Sequence, residues 1–122
     1  MDVVIPNEIE AQQLTGHKDP RKAVLALERM GAGLAIVTLG ARGAWCGGNS
    51  GENGLRPAFR VRAVDTVGAG DCFVGAFAAA LALEHADPVL FALAAAALKV
   101  TRRGAQSMPS RAEVERMLRK HA

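Results

Sequence analysis

The sequence predicts a single domain of the α/β class, in which helices pack on part of a sheet. Three observations carry this prediction. Short runs rich in β-branched residues alternate with stretches that have helical periodicity. Capping residues precede several of these stretches, and two of the caps are followed by proline. The composition of the 122 residues, 50% hydrophobic and 22% charged, is typical of a folded chain and excludes a disordered one.

The first quarter of the chain predicts a strand followed by two helices. Asp2–Ile5 is a short β-branched run closed by proline, which indicates a buried strand end. Asn7 and Glu10 have the spacing of a capping box, so a helix is expected over Glu8–Thr15. Asp19-Pro20 then combines a cap with proline at the first helical position and predicts a second helix.

The next segment predicts a buried strand and a hairpin. Leu34–Leu39 is continuously apolar apart from one threonine, and the turn Gly40–Gly43 follows it. Ala44–Cys46 and Phe59–Val64 are expected to be the two strands of the hairpin. The stretch between them, Gly47–Gly54, is rich in glycine and asparagine and is expected to be a mobile tip.

The second half of the chain predicts three helices after a glycine-rich loop. The loop covers Asp65–Gly70, and an alanine-rich helix is expected to start near Asp71. A second helix opens at Asp87-Pro88, by the cap-then-proline signal. A third follows the capping-box pair Ser110 and Glu113 and runs to the end of the chain. No repeat and no internal domain boundary is evident, so residues 1–122 are treated as one domain.

Membrane and secreted classes are disfavoured by the apolar segments and the cysteines. The longest apolar runs, Phe73–Leu83 and Val89–Leu98, are shorter than the ~20 residues of a membrane-spanning helix. No signal peptide is visible, so a cytoplasmic location is expected. Cys46 and Cys72 fit neither a redox pair nor a zinc site, and we expect two buried or half-buried thiols.

The charge of the chain leaves two kinds of partner open. The net charge is +3, and much of the excess lies in arginines and lysines near the C-terminus. Such a tail could bind nucleic acid, or it could be the solvated face of a helix, which we favour. The scarcity of aromatic residues, 4%, weakens a base-stacking role. A modest positive charge also suits an anionic small ligand such as a nucleotide.

The strongest chemical signal is the glycine-rich loop that leads into the alanine-rich helix. Gly68 and Gly70 let backbone N–H groups turn toward one point, and the helix N-terminus adds unpaired amides and its dipole. This arrangement suits a phosphoryl group. Asp71 at the same point suits a general base that takes the proton of an attacking hydroxyl, which together describes phosphoryl transfer. The alternative is that Asp71 only caps the helix in a turn used for packing.

Five segments of the chain carry a resemblance to a known family. They are Asn7–Glu10, Val37–Gly43, Phe59–Val61, Asp65–Asp71 and Thr101–Gln106. In their order and spacing they resemble the ribokinase family, also called PfkB-type carbohydrate kinases. Asp65–Asp71 resembles the C-terminal signature of that family, and Thr101–Gln106 is similar to ribokinases in particular. The resemblance implies a ribokinase-like three-layer α/β/α sandwich, of which this chain is the C-terminal, ATP-binding portion. It also implies ATP-dependent phosphorylation of a sugar hydroxymethyl group, with D-ribose converted to ribose 5-phosphate.

The resemblance implies a role for each matching residue. Asp71 would be the catalytic base, and the backbone of Ala69 and Gly70, in the loop with Gly68, would form the anion hole for the γ-phosphoryl group. Asn7 would contact the nucleotide phosphates, and Glu10 would organise Mg²⁺ through water. The residues that would line the ATP site are Thr38, Leu39, Gly40, Ala41, Arg42 and Gly43, together with Gly70 and Asp71.

The resemblance also implies a monovalent cation, K⁺, beside the anion hole. Asp65 would give its carboxylate to this ion. The carbonyl groups of Val67, Lys99, Arg102 and Gly104 would complete the shell, with Ser107 as the last ligand. Such an ion would orient the loop and add positive potential where charge develops. The stretch that contains Ser107 is one residue shorter than the family pattern, and Cys72 and Val74 replace a hydroxyl residue and an asparagine.

The length of the chain separates it from complete members of the family. The N-terminal sugar-binding part and the lid, which also forms the dimer contact in ribokinases, have no counterpart here. Three readings therefore stay open. The first is a sugar kinase for ribose, or a PfkB kinase for another sugar or a nucleoside. The second is a truncated nucleotide-binding module without kinase activity of its own. The third is a basic interaction protein. The expected partners are a nucleotide and a small sugar, without nucleic acid or membrane, and a homo-oligomer is possible.

Overall fold

The structure, a computed structural model, describes residues 2–48, 53–104 and 108–121. The chain forms two compact units, Met1–Pro57 and Ala58–Ala122, which we call the N-terminal and C-terminal units. The N-terminal unit holds the sheet, and the C-terminal unit holds three helices. In the part of the chain that the structure describes, no helix has the length and apolar character needed to cross a membrane.

A mixed four-stranded sheet with two helices makes up the N-terminal unit. The strand order is β1-β2-β3-β4, with β1 parallel to β2 and the other two pairs antiparallel. The elements are β1 (Val3–Val4), α1 (Glu8–Thr15), α2 (Pro20–Arg29), β2 (Leu34–Thr38), a 3₁₀ turn (Gly40–Arg42), β3 (Ala44–Gly48) and β4 (Gly54–Arg56).

The core of this unit lies between α2 and the central strand β2. Alternate residues of a strand point to the same face, so Ala35 and Val37 face the helix together. They pack with Val24 and Leu27, which are buried on the apolar side of the amphipathic helix α2. At Gly47 on β3 the approach is so close that a Cβ would contact side-chain atoms of Val24 and Glu28. Glycine is therefore required there for packing.

Three helices and their connecting loops make up the described part of the C-terminal unit. They are α3 (Ala69–Ala82), α4 (Pro88–Val100) and α5 (Arg111–Lys120). Alanines of α4 such as Ala94 and Ala95 are buried beside Cys72 of α3 and Val114 of α5. Their small side chains allow the helix axes to come close, so α4 is buried on most of its surface.

The caps expected from the sequence are present, and both cysteines are buried and free, as predicted. The side chains of Asn7 and Ser110 each form a capping box with the glutamate three residues later. The side chain of Asp19 accepts a hydrogen bond from the N–H of Arg21, and that of Asp87 accepts one from Leu90. These local bonds explain why the bounds of α1, α2, α4 and α5 agree closely with the sequence prediction.

The prediction of a strand over Phe59–Val64 was wrong. The second strand of the hairpin is Gly54–Arg56, which pairs with Ala44–Cys46 of β3. Residues 58–67 pair with no strand among the described residues; instead, Phe59 packs against the helical core and meets His121 edge to face. Part of the expected tip, residues 49–52, lies outside the described residues.

Candidate functional site

Backbone hydrogen bonds connect the loop before α3 to the end of α4. The N–H groups of Val64 and Asp65 both donate to the carbonyl oxygen of Val100, at 2.6 and 3.0 Å. The Asp65 carboxylate then accepts from the N–H of Val67 at 2.9 Å and from the N–H of Gly104 at 3.1 Å. One side chain therefore joins two loops that are 39 residues apart in sequence.

These two backbone hydrogen bonds, first that of Val67 and then that of Gly104, lower the pKa of Asp65 below its usual value. The positive charges of Lys99 and Arg103 act in the same direction. Asp65 is therefore a fixed negative charge at neutral pH.

The structure brings the ammonium group of Lys99 to the same two residues. Lys99 Nζ donates to the carbonyl oxygen of Val67 at 3.0 Å and to that of Gly104 at 2.7 Å. Lys99 is 0% exposed and is the one buried charged residue in the described part of the chain. The sequence predicts a role only for the carbonyl group of this residue. The signal that could have revealed the side chain is a lysine in the last turn of an otherwise apolar helix.

The residues expected to hold K⁺ do not fit a bound ion in this arrangement. The carbonyl oxygens of Val67 and Gly104 accept from Lys99 Nζ, and the carbonyl oxygen of Lys99 accepts from the N–H of Arg102 at 3.1 Å. The guanidinium group of Arg102 pairs with Glu113 of α5. Ser107, the last ligand in that prediction, lies outside the described residues.

Helix α3 starts two residues earlier than predicted, at Ala69 rather than near Asp71. The cap is Gly68, whose φ of +81° lies in the left-handed region that favours glycine. The N–H of Ala69 donates to the carbonyl oxygen of Thr66 at 3.2 Å, and that of Cys72 to Gly68 at 2.9 Å. Among the described residues, the N–H groups of Gly70 and Asp71 have no acceptor. These two amides can therefore receive an anion. The sequence prediction named the amides of Ala69 and Gly70 for this role, but the amide of Ala69 is engaged with Thr66 and that of Asp71 is available instead.

Asp71 is the third residue of α3, so the alternative that it caps the helix was wrong. Its side chain is exposed and has no hydrogen bond or ion pair within the described residues. The carboxylate is thus available to a ligand in front of the helix N-terminus. The neighbouring Cys72 is buried, which raises the pKa of its thiol and keeps it neutral.

In the N-terminal unit, the residues expected to meet the nucleotide form a second cluster. Asn7 lies beside Thr38 in a parallel bridge, and the N–H of Thr38 donates to the carbonyl oxygen of Pro6 at 2.9 Å. Asn7 and Glu10 are exposed, and each accepts a hydrogen bond from the other's backbone N–H, at 2.8 and 3.0 Å. Their structural role is therefore observed, while their role as ligands stays a prediction.

The turn after β2 closes on itself and presents backbone rather than large side chains. Gly40 and Gly43 have φ values of +60° and +109°, and the N–H of Leu39 donates to the carbonyl oxygen of Gly43 at 2.8 Å. Leu39 is buried, whereas Ala41 and Arg42 are exposed. The Arg42 guanidinium lies 2.5 Å from the Glu8 carboxylate at the start of α1, a partner that sequence analysis missed.

Among the described residues, no group of three or more histidine, cysteine, aspartate or glutamate side chains could hold a metal ion by itself. This does not conflict with Mg²⁺, which in phosphoryl-transfer sites is bound by one or two carboxylates together with waters and substrate phosphates. Glu10 can contribute one such carboxylate.

Comparison with known proteins gives a match over most of the chain. Residues 1–112 match the profile of the family described as "pfkB family carbohydrate kinase". The ribokinase of Haemophilus influenzae is 38% identical over 121 residues, covering 93% of this chain and 39% of that protein.

Solved structures agree with this match. The crystal structure of a ribokinase from Thermotoga maritima superposes with a TM-score of 0.87 at 42% identity, covering 98% of this chain and 42% of that one. An E. coli structure described as ribokinase II, in complex with ATP and Mg²⁺, has a TM-score of 0.87 at 33% identity, covering 99% of this chain and 40% of that one. The chain therefore spans about two fifths of the length of these relatives.

Proposed function

Because this chain belongs to the pfkB family of carbohydrate kinases, we propose that it is the C-terminal, nucleotide-binding part of an ATP-dependent sugar kinase. The proposed reaction is ribokinase-like: a hydroxymethyl group of the sugar, with D-ribose as the first candidate, receives the γ-phosphoryl group of ATP. The names of the H. influenzae and T. maritima relatives support ribose. The proposed architecture of the whole protein is the three-layer α/β/α sandwich of the ribokinase fold.

The observation that carries this proposal is the arrangement at the N-terminus of α3. Within residues 2–48, 53–104 and 108–121, the exposed Asp71 carboxylate has no protein partner. It stands next to two N–H groups that have no acceptor in those ranges, those of Gly70 and Asp71 itself. A carboxylate in this position repels a resting phosphate but can accept a proton from a hydroxyl. The amides can in turn stabilise the negative charge of the group being transferred.

The mechanism follows from these two groups. The sugar hydroxyl gives its proton to the Asp71 carboxylate while its oxygen bonds to the γ-phosphorus. The bond between that phosphorus and the β,γ-bridging oxygen breaks, and ADP leaves with the electron pair. The N–H groups at the start of α3 hold the equatorial oxygens, and the helix dipole adds positive potential there.

The N-terminal unit is proposed to contact the nucleotide. Asn7 would meet the phosphates. The turn Gly40–Gly43, of which residues 40–42 are exposed, would lie along the nucleotide, since glycines leave room for close approach. Arg42 would keep its pair with Glu8 or exchange it for a phosphate oxygen. Mg²⁺, for which Glu10 is the proposed protein group through water, would neutralise phosphate charge when bound. The ATP and Mg²⁺ of the E. coli relative support this part of the proposal.

Potassium is left out of the proposed function because Lys99 occupies the carbonyl groups expected to bind it. Nucleic acid is also left out. Two arginines of the basic tail are paired with acids, Arg102 with Glu113 and Arg111 with Glu115 at 3.0 Å, which supports a solvated face. The cytoplasmic location and the oligomeric state stay predictions.

The test of the proposed function is sugar-dependent release of ADP from ATP and Mg²⁺, with ribose, fructose and a nucleoside as candidate acceptors. We expect Asp71→Asn to abolish turnover, since the amide cannot accept the proton, and to leave nucleotide binding intact. Glu84→Gln, an exposed carboxylate just after α3, is the matched control. Turnover that survives Asp71→Asn would contradict the assignment of the base.

A second candidate function is a nucleotide-binding module without turnover. The observation that favours it is the coverage, since the chain spans only about two fifths of its relatives. Saturable binding of ATP and Mg²⁺ without ADP release for any acceptor would support this candidate over the first.

A further inference from the structure

A closed network of hydrogen bonds joins two loops of the C-terminal unit through one pair of opposite charges. Val67 donates its N–H to Asp65 and offers its carbonyl oxygen to Lys99. Gly104 does the same, with its N–H on Asp65 and its carbonyl oxygen on Lys99. Each of the two backbone residues is therefore held by the carboxylate on one side and by the ammonium group on the other.

The ammonium group in this network is built into the rigid part of the unit. Lys99 lies in the last turn of α4, and its side chain is 0% exposed. A buried charge persists only when it is hydrogen bonded and balanced by opposite charge. Lys99 Nζ donates to the two carbonyl groups, and its positive charge acts on the nearby Asp65 carboxylate and helps to lower the pKa of that group. A lysine held in this way cannot give up its partners to a dissolved ion without a free-energy cost.

We propose that the Lys99 ammonium is this chain's own cation at the point where the family resemblance implies a potassium ion, so that the loop cluster works without a monovalent ion. Converging carbonyl groups and a carboxylate form a site for one positive charge, and the lysine supplies it. A second cation there would meet like charge and two carbonyl oxygens that are already engaged.

Through Val67, this network affects the candidate anion-binding site at the N-terminus of α3. Val67 directly precedes Gly68, the N-cap of α3, so the lysine fixes the residue that leads into the anion-binding turn. The expected result is a turn whose geometry does not depend on potassium. The consequence for phosphoryl transfer rests on the proposed function, whereas the consequence for ion binding does not.

The experiment compares thermal unfolding of the 122-residue chain in KCl and in tetramethylammonium chloride at equal ionic strength. We expect the wild-type chain to give the same Tm in both salts. Lys99→Ala opens the carbonyl and carboxylate groups, so its Tm in tetramethylammonium is expected to fall and to rise again, saturably, with added K⁺. Lys120→Ala, which removes an exposed lysine from the same unit, is expected to behave like the wild type.

Two results would overturn the proposal: a wild-type Tm that rises specifically with K⁺, or a folded Lys99→Ala chain that ignores K⁺. If Lys99→Ala does not fold, nuclear magnetic resonance of the wild type decides instead. We expect slowly exchanging Lys99 ammonium protons, with coupling across the hydrogen bonds to the carbonyl carbons of Val67 and Gly104, unchanged by K⁺. Exchange as fast as that of Lys120, or loss of the couplings on adding K⁺, would refute it. None of these readouts uses ATP turnover, so a failed kinase assay remains a separate result.

Discussion

Replacing Lys99 by methionine tests how much the buried ammonium group contributes to the stability of the C-terminal unit. Methionine keeps most of the length of the side chain but donates no hydrogen bond, so the carbonyl oxygens of Val67 and Gly104 lose their partner. Each acceptor left unsatisfied costs about 1–3 kcal/mol when it is buried. Val67 and Gly104 are themselves exposed, so water can partly replace the lysine and the lower end of that range applies. We expect a loss of about 2 kcal/mol in the free energy of unfolding.

The assay is denaturant unfolding followed by circular dichroism, since the three described elements of this unit are all helices. A loss of this size corresponds to a Tm lower by roughly 10 °C for a chain of this length. Lys120→Met is the matched control and is expected to lie within about 0.5 kcal/mol of the wild type. A Lys99→Met chain as stable as the control would refute the view that the network depends on the ammonium group.

Two further predictions concern packing and pH. Gly47→Ala is expected to destabilise the N-terminal unit by about 1–3 kcal/mol, because the new Cβ meets the stiff, buried Val24. Gly75→Ala, which places its Cβ in open space on α3, is expected to stabilise the chain by about 0.5–1 kcal/mol. Unfolding curves that rank the two variants the other way would contradict the packing described. The capping bond from Ser110 and the pair with Arg102 lower the pKa of Glu113 from its usual 4.5 to about 2, so its contribution to stability is complete above pH 4.5 and is lost as the pH falls toward 2. Glu113→Gln should therefore flatten the fall in stability across that window, and an unchanged pH profile would argue against the pair.

The helices were predictable because their determinants are local. Asn7, Asp19, Asp87 and Ser110 each cap a helix through a bond to a residue two or three positions later, and that spacing is visible in the sequence. The strand expected at Phe59–Val64 failed because a strand depends on a partner. β3 pairs with Gly54–Arg56 instead, and Phe59 is used to pack on helices.

In the candidate site, too, the local features were predictable from the sequence and the long-range contacts were not. The glycine-rich loop and Asp71 could be found from residue types and spacing, since a helix N-terminus after glycines has a defined chemistry. The ion pair between Arg42 and Glu8 and the hydrogen bond from Lys99 to Val67 could not, because they join residues 34 and 32 positions apart. A single buried lysine also changes which ligand a set of carbonyl groups can accept, and no local sequence pattern indicates that change.

The most direct test of the central claim is a calorimetric titration of ATP and Mg²⁺ into the 122-residue chain. The account predicts saturable binding that is retained in Asp71→Asn, since the carboxylate serves as a base and not as a nucleotide ligand. No binding by a chain that circular dichroism shows to be folded would contradict the claim that these residues carry a nucleotide site.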